Sequence, residues 1–514
     1  MHVPLTLLDF LERAELVYGG RVAVVDEPRP PGGGLGRITY AELGAMARSL
    51  AVALDELGLE AGARVAIVSP NAARFVAALF GVSAFGRVLV PVNFRLNADE
   101  IRYIVAHSGA AAMLVDAELE DLVRDVPAAH RLIMGDASDA ALFGRRDARP
   151  SHGVVNEAAT VSINYTSGTT ARPKGVQLSH RSCWLNAVTF GWHVAVTDRD
   201  VYLHTLPMFH CNGWGLPYAL TAMGARQVVI RKIDGAEILR RIEAEGVTLL
   251  SGAPAVVAAV LDAAAERRAR GESIPGRGTV RMVVAGAPPP SKTIERVQTE
   301  LGWELIQIYG LTETSPLLTI NRAPTEWDDL PPAERAQRLS RAGVPAVGVR
   351  IAVSPGGELL ARSNHVFDGY YQQPDETGRA IVDGWFHTGD GGHLDGAYAV
   401  ITDRKKDVII SGGENVSSIE VEDCLYQHPS VAEAAVIGVP HEKWGETVFA
   451  CVVVRPGATT TPRELIDHCR ARLAHFKCPT TIELRDWLPR TATGKLQKFR
   501  LREPYWVGRP RGVN

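Results

Sequence analysis

The sequence predicts an α/β protein: a large N-terminal domain of parallel βαβ sheets with a small β-subdomain, followed by a small α+β C-terminal domain. Three observations predict it. Helical and strand patterns alternate through the first 310 residues, short strands with glycine-rich turns take over after residue 340, and a compact run of helices and strands lies beyond residue 403. At roughly 100–200 residues per domain, 514 residues are too many for one core. A boundary near 403–406 divides the chain into 1–403 and 404–514.

Residues 38–57 (ITYAELGAMARSLAVALDEL) carry apolar side chains at helical spacing, with Thr39 as N-cap. Residues 64–69 (RVAIVS) form a β-branched run, 72–85 read as helix, 88–92 (VLVPV) as strand, 97–108 as helix and 111–115 as strand. The alternation resumes with strand 200–205, helix 214–223, strand 227–230, helix 236–245 and strand 249–251. Helix 255–270, strand 282–285, helix 291–301 and strand 304–309 follow. The polar, proline-containing stretch 326–341 reads as a surface excursion. Segments 349–353, 357–361 and 399–402 read as short antiparallel strands. The tail has a helix at 418–427, strands at 431–439 and 447–454, a helix at 462–473 and a strand at 481–484.

Composition excludes several classes. A net charge of −3 and a pI near 6.6 give no basic face for nucleic acid. The 46% hydrophobic and 22% charged content is that of a globular chain, not a disordered or collagenous one. Six cysteines without a Cys-x-x-Cys pair read as thiols in a reducing compartment. No signal peptide, 18-residue apolar run, lipidation motif or peroxisomal signal is read, so the expected location is the cytoplasm. Nine lysines stand against 46 arginines, which suggests a GC-rich bacterial genome and makes each lysine worth inspecting.

Four segments carry chemistry. Residues 165–175 (YTSGTTARPKG) follow a β-branched run and can wrap N–H groups and hydroxyls around phosphate oxygens, with Lys174 as a point charge. The spacing is not that of a Walker A loop. Residues 308–316 (IYGLTETSP) put Glu313 after a strand-to-turn link, and a carboxylate beside a phosphate loop suits Mg²⁺, which prefers hard oxygens. Residues 385–390 (WFHTGD) with 402–407 (TDRKKD), and 488–495 (LPRTATGK), complete the set. Each alone is an ordinary turn as readily as a site.

In this order and spacing the four segments closely resemble the adenylate-forming superfamily of acyl-CoA synthetases, nonribosomal adenylation domains and beetle luciferases, over roughly residues 10–505. The resemblance implies that a carboxylate attacks the α-phosphate of ATP to give an acyl-adenylate and pyrophosphate, after which a thiol displaces AMP. It implies that Thr166, Ser167, Gly168, Thr169, Thr170 and Lys174 hold the β- and γ-phosphates, with Ala171 where the family usually has glycine. Tyr309 and Gly310 then face adenine, Thr312 the α-phosphate, and Glu313 with Thr166 the Mg²⁺. The turn Gly286, Ala287, Pro288 offers main chain to adenine, Asp390 holds the ribose hydroxyls and Arg404 makes a second nucleotide contact. Lys495 bridges carboxylate and α-phosphate, Lys406 is the hinge and Gly413 lets the pantetheine arm of coenzyme A pass. By the same match Lys495, Thr312 and Glu313 are the catalytic group. Two departures stand out: Ser363 replaces the usual glycine in 357–364 (GELLARSN), and 395–400 (DGAYAV) is one residue longer than usual.

Residues 207–214 (PMFHCNGW) correspond to the acyl tunnel, with His210 and Trp214 as pocket wall. This form resembles the medium-chain, methylthiopropionate-type and plant acyl-activating subfamilies. The expected function is therefore an acyl-CoA synthetase for a medium-chain or short substituted acid, using ATP, Mg²⁺ and coenzyme A. An aryl acid, a carrier protein as acceptor and, last, a catalytically silent nucleotide-binding homologue are the alternatives; a homodimer is left open.

Overall fold

The computed structural model of the protein describes residues 1–507 except 29, 31, 136, 154–155, 167–172, 405–406, 412–413, 443 and 492–495, with backbone only at 404 and 415. Among the described residues, strands assemble into four sheets.

The largest sheet has nine strands. Six run parallel side by side: Glu304–Gly310, Arg281–Val284, Leu249–Gly252, Val201–His204, Arg226–Val229 and Val22–Val25. Antiparallel strands close its edges. In a seven-stranded sheet, five parallel strands including Val88–Val92 and Thr160–Thr166 are followed by antiparallel Lys174–Ser179 and Gly369–Tyr370. Strands Val88–Val92 and Ala112–Asp116 are wholly buried, as their near-continuous apolar runs require when helices cover both faces.

Local chemistry sets the helix starts. Thr39 opens Tyr40–Glu56 with a reciprocal cap: its hydroxyl accepts from the Glu42 N–H at 3.2 Å, and the Glu42 carboxylate accepts from the Thr39 N–H at 2.7 Å. Asn97 and Glu100 repeat the device ahead of Ala98–Ser108.

A third sheet, antiparallel, contains Arg350–Val353, Glu358–Arg362, Trp385–Asp395 and Tyr398–Arg404. Both sequence departures lie here and both are absorbed locally. The Ser363 hydroxyl accepts from the His365 N–H at 3.1 Å, and the longer link makes a two-residue hairpin turn between paired Asp395 and Tyr398. The fourth sheet is built from residues after 408, around Val431–His441 and Gly445–Val454, with its own buried core. It meets the rest where Ser418 N–H and hydroxyl donate to Asp403, at 3.1 and 2.5 Å, and where Ser291 donates to Asp423.

Two expectations need correction. Stretch 326–341 is not merely a surface excursion: Pro332–Leu339 is a helix whose Ala336 and Leu339 are buried with Trp327 in a second core, shared with Leu250, Met282 and Val284 of the nine-stranded sheet. Its apolar positions are too few, among four charged or amide side chains, to show in the sequence. Nor does a helix begin at Trp214. It starts at Leu216, because residues 211–215 turn left-handed.

Candidate active site

The carboxyl ends of parallel strands are where open α/β sheets expose loops to ligands. Here the ends of Glu304–Gly310, Arg281–Val284 and Val201–His204 converge on one cleft, lined among others by His210, Trp214, Gly286, Ile308, Thr312 and Pro316.

The turn after Tyr309 is sterically dictated. A Cβ on Gly310 would lie 1.6 Å from the Pro316 carbonyl oxygen, so only glycine fits. Thr312–Thr314 then forms one tight helical turn, closed by the Thr314 hydroxyl, which accepts from the Leu311 N–H at 3.0 Å and donates to Pro316 O at 2.6 Å. The turn is tied to a distant segment: Glu313 O accepts from the Phe367 N–H at 2.8 Å, and the Ser315 hydroxyl donates to His365 O at 2.8 Å.

Two polar pairs border the cleft. The Tyr309 hydroxyl donates to Asp390 Oδ2 at 2.8 Å, with both residues buried. Asp390 is held by its N–H to the Thr388 hydroxyl, and the strand register sets Arg404 opposite it. The Tyr370 hydroxyl donates to Glu313 Oε1 at 2.9 Å, and burial followed by the adjacent carboxylate pushes its own titration above the ordinary tyrosine range.

Lys174 begins its strand directly opposite Thr166, so the two residues bracket 167–172. Its ammonium lies 4.9 Å from the Tyr370 ring centroid and bonds Glu376, whose carboxyl this bond holds below the usual range. Tyr370 thus connects the lysine to Glu313. Tyr370 and Glu376 both come from 369–377 (GYYQQPDET), a segment outside those read in the sequence as carrying chemistry. The pairing of Gly369–Tyr370 with Lys174–Ser179 brings them in.

Gly286, at φ +92°, lines the cleft; Ala287 and Pro288 follow it on the same turn. Ser167, Gly168, Thr169, Thr170, Lys406, Gly413 and Lys495 lie outside the described residues, as does the side chain of Arg404.

At the apolar end, Cys211, Asn212, Gly213, Trp214 and Gly215 have φ of +46°, +52°, +62°, +61° and +74°. A left-handed turn costs roughly 1–2 kcal/mol per non-glycine residue, so side chains must hold it. The Asn212 amide donates to the Ser162 hydroxyl at 2.9 Å and accepts from the Asn164 amide at 3.2 Å, all buried. Burial also pushes the Cys211 thiol well above its ordinary value, which makes it pocket wall and not a nucleophile.

The sequence pattern of the AMP-binding enzyme family matches residues 11–371, and that of the AMP-binding enzyme C-terminal domain residues 420–495. A 2-methylpropanoate–CoA ligase of Humulus lupulus is 37% identical, covering 97% of this chain and 95% of its own. A 4-hydroxybutyrate–CoA ligase of Metallosphaera sedula is also 37% identical, over 97% of this chain and 94% of its own. The crystal structure of an anthranilate–CoA ligase with anthranoyl-AMP superposes with a TM-score of 0.86 at 25% identity, covering 98% of both chains.

Proposed function

The chain belongs to the AMP-binding enzyme family of adenylate-forming acid–CoA ligases, and on that premise we propose that its acid is short and compact, the short substituted arm of the sequence expectation. The reaction class is an acid–thiol ligation using ATP, Mg²⁺ and coenzyme A. The carboxylate attacks the α-phosphate of ATP and expels pyrophosphate; the coenzyme A thiol then attacks the acyl carbon and expels AMP.

The chain needs no side-chain nucleophile for this. Two anions must approach each other, so its work is positioning and preorganised charge. We assign Asp390, oriented by Tyr309, to the ribose hydroxyls and the Tyr309 ring to adenine; their hydrogen bond supports the pairing. Thr312 is assigned to the α-phosphate, and Lys174 with the 166–170 loop to the outer phosphates. Lys174 now rests on Glu376, a carboxylate standing where phosphate oxygens would. Glu313 and Thr166 are the residues that would hold Mg²⁺. A buried carboxylate fixed by one tyrosine suits a cation that takes its remaining ligands from phosphates and water. When bound, the metal supplies positive charge against the phosphate oxygens. Arg404 and Lys495 are read as further cations toward the α-phosphate, Lys406 as the hinge of the C-terminal domain and Gly413 as the pantetheine passage. The six cysteines, all buried and free, suit a reducing compartment such as the cytoplasm. No helix among the described residues is long and apolar enough to cross a membrane.

The observation that carries the choice of acid is the slot beside Thr312. It is bounded by Trp214 and Pro316, and Trp214 is only 4% exposed, wedged in place by the left-handed turn. Long chains find little room there, and the names of the two relatives above fit small acids. An aryl acid is the second reading, favoured by the anthranilate ligase neighbour. The test is a panel of straight, branched and hydroxylated acids from C2 to C16 plus benzoate and anthranilate, scored by acyl-CoA formed with ATP, Mg²⁺ and coenzyme A. Highest kcat/KM at C3–C5 supports the proposal; a maximum at C8 or above overturns it.

A further inference from the structure

Asn186 lies on the helix His180–His193 and has no exposed surface. It belongs to none of the segments that carry the reaction. Its carboxamide nevertheless joins the end of one, 207–214, to the residue that follows another, 308–316. Nδ2 donates to the Trp214 carbonyl at 3.1 Å, and Oδ1 accepts from the Leu317 N–H at 3.1 Å. Trp214 lines the cleft on one segment, and Pro316, the residue before Leu317, lines it on the other. One side chain therefore ties together the two stretches of backbone that bound the slot.

We propose that Asn186 is a specificity-determining positioning residue: by bridging the left-handed turn at 211–215 to the start of the strand Leu317–Asn321, it sets the separation of Trp214 from Pro316 and hence the size of acid admitted. This rests on the reading of the slot as the acyl site.

The chemistry of the position is narrow. The Trp214 carbonyl needs a donor and the Leu317 N–H needs an acceptor, so the bridging group must be both. Aspartate would accept but could not donate, and would set a carboxylate against a carbonyl. Leucine would leave both backbone groups buried and unpaired. Packing adds a second, independent constraint. Gly215, at φ +74°, approaches so closely that a Cβ there would lie 2.6 Å from Asn186 Nδ2. The left-handed turn is intrinsically unfavourable for Cys211, Asn212 and Trp214. On the other side Asn212 clamps it to Ser162 and Asn164. Release on the Asn186 side should let residues 214–215 relax, and Trp214 should then leave the slot wall.

The experiment compares Asn186→Ala and Gly215→Ala with wild type on butyrate, octanoate and benzoate, measuring kcat and KM for each acid, KM for ATP, and the thermal midpoint. Gly215→Ala pushes on the same contact from the other side while leaving the carboxamide intact, so the proposal does not depend on one variant folding. The expected result is a rise of about tenfold in the kcat/KM of octanoate or benzoate relative to butyrate, carried by KM for the acid, while KM for ATP changes by less than about twofold. Unchanged selectivity in either folded variant overturns the proposal, as does an equal loss on all three acids together with ATP. If wild type turns over none of the acids tested, the acyl-slot reading itself is wrong and the proposal falls with it. If wild type is selective and the variants keep its selectivity, Asn186 alone is misassigned.

Discussion

The hydroxyl of Tyr309, at the end of the nine-stranded sheet, donates at 2.8 Å to Asp390 Oδ2, on a strand of the separate antiparallel sheet. Eighty-one residues apart in sequence, the two form one buried unit at the cleft. Tyr309→Phe keeps the aromatic face and removes only the donor. A hydrogen bond to a charged group contributes about 1.5–3 kcal/mol, so KM for ATP should rise roughly tenfold while kcat changes less. An ATP titration of initial rates checks this. An unchanged KM would mean that Asp390 is oriented by other groups.

Glu313→Gln keeps an oxygen for Tyr370 to donate to but removes the charge that suits Mg²⁺. Adenylation at limiting Mg²⁺ should fall about 10²-fold, and raising Mg²⁺ should recover part of it. Tyr370→Phe leaves the carboxylate charged but unheld and should cost roughly tenfold. Pyrophosphate release followed across a Mg²⁺ series separates the two. Wild-type adenylation by Glu313→Gln at low Mg²⁺ would remove Glu313 from the metal role.

Lys495 and Gly413 should fail in opposite half-reactions. Lys495→Ala should lose adenylation by about 10²–10³-fold, the scale of one preorganised charge, yet still convert a chemically made acyl-adenylate to acyl-CoA. Gly413→Leu should spare adenylation and block the thiol. On the domain-rotation reading the two C-terminal segments that carry these residues face the site in turn, one for each half-reaction. Equal loss of both halves in each variant would mean a static site without domain rotation.

Two buried histidines predict acid sensitivity. Burial pushes His180 and His204 each down to about 4 from an ordinary 6.5. His180 accepts from the Leu7 N–H, and His204 bonds Gln227. Between those values the unfolded chain binds protons that the folded chain does not, so stability falls as pH falls through that window. The slope is about 1.4 kcal/mol per pH unit for each histidine. Urea unfolding at pH 6.5, 5.5 and 4.5 should show it, and His204→Gln should flatten it. A wild-type stability that is level over this range would mean that both imidazoles are protonated in place.

Much of the fold was legible because its signals are local. The Thr39 cap, the β-branched runs at 64–68 and 88–92, and the glycine turn at 310 each depend on residues within a few positions. The segments 165–175, 308–316 and 385–390 stood out in the sequence for the same reason, since the residue types that suggest chemistry are contiguous in each. Helix Pro332–Leu339 escaped because its burial depends on Trp327 and the second core, not on its own short pattern.

The amino-acid sequence by itself determined which side chains have the chemistry to suit phosphate, metal or acid, because that is a property of residue type. Tertiary structure alone decided which of them meet one another. Tyr370 reaches Glu313 and Lys174 only through a two-residue strand paired across the seven-stranded sheet. The left-handed turn that wedges Trp214 persists against its own backbone preference because Asn186, 28 residues earlier, and Asn212 supply hydrogen bonds there. The physical reason is the same in both cases: a contact between distant residues has a free energy that no local pattern encodes until the sheets and helices around it have packed.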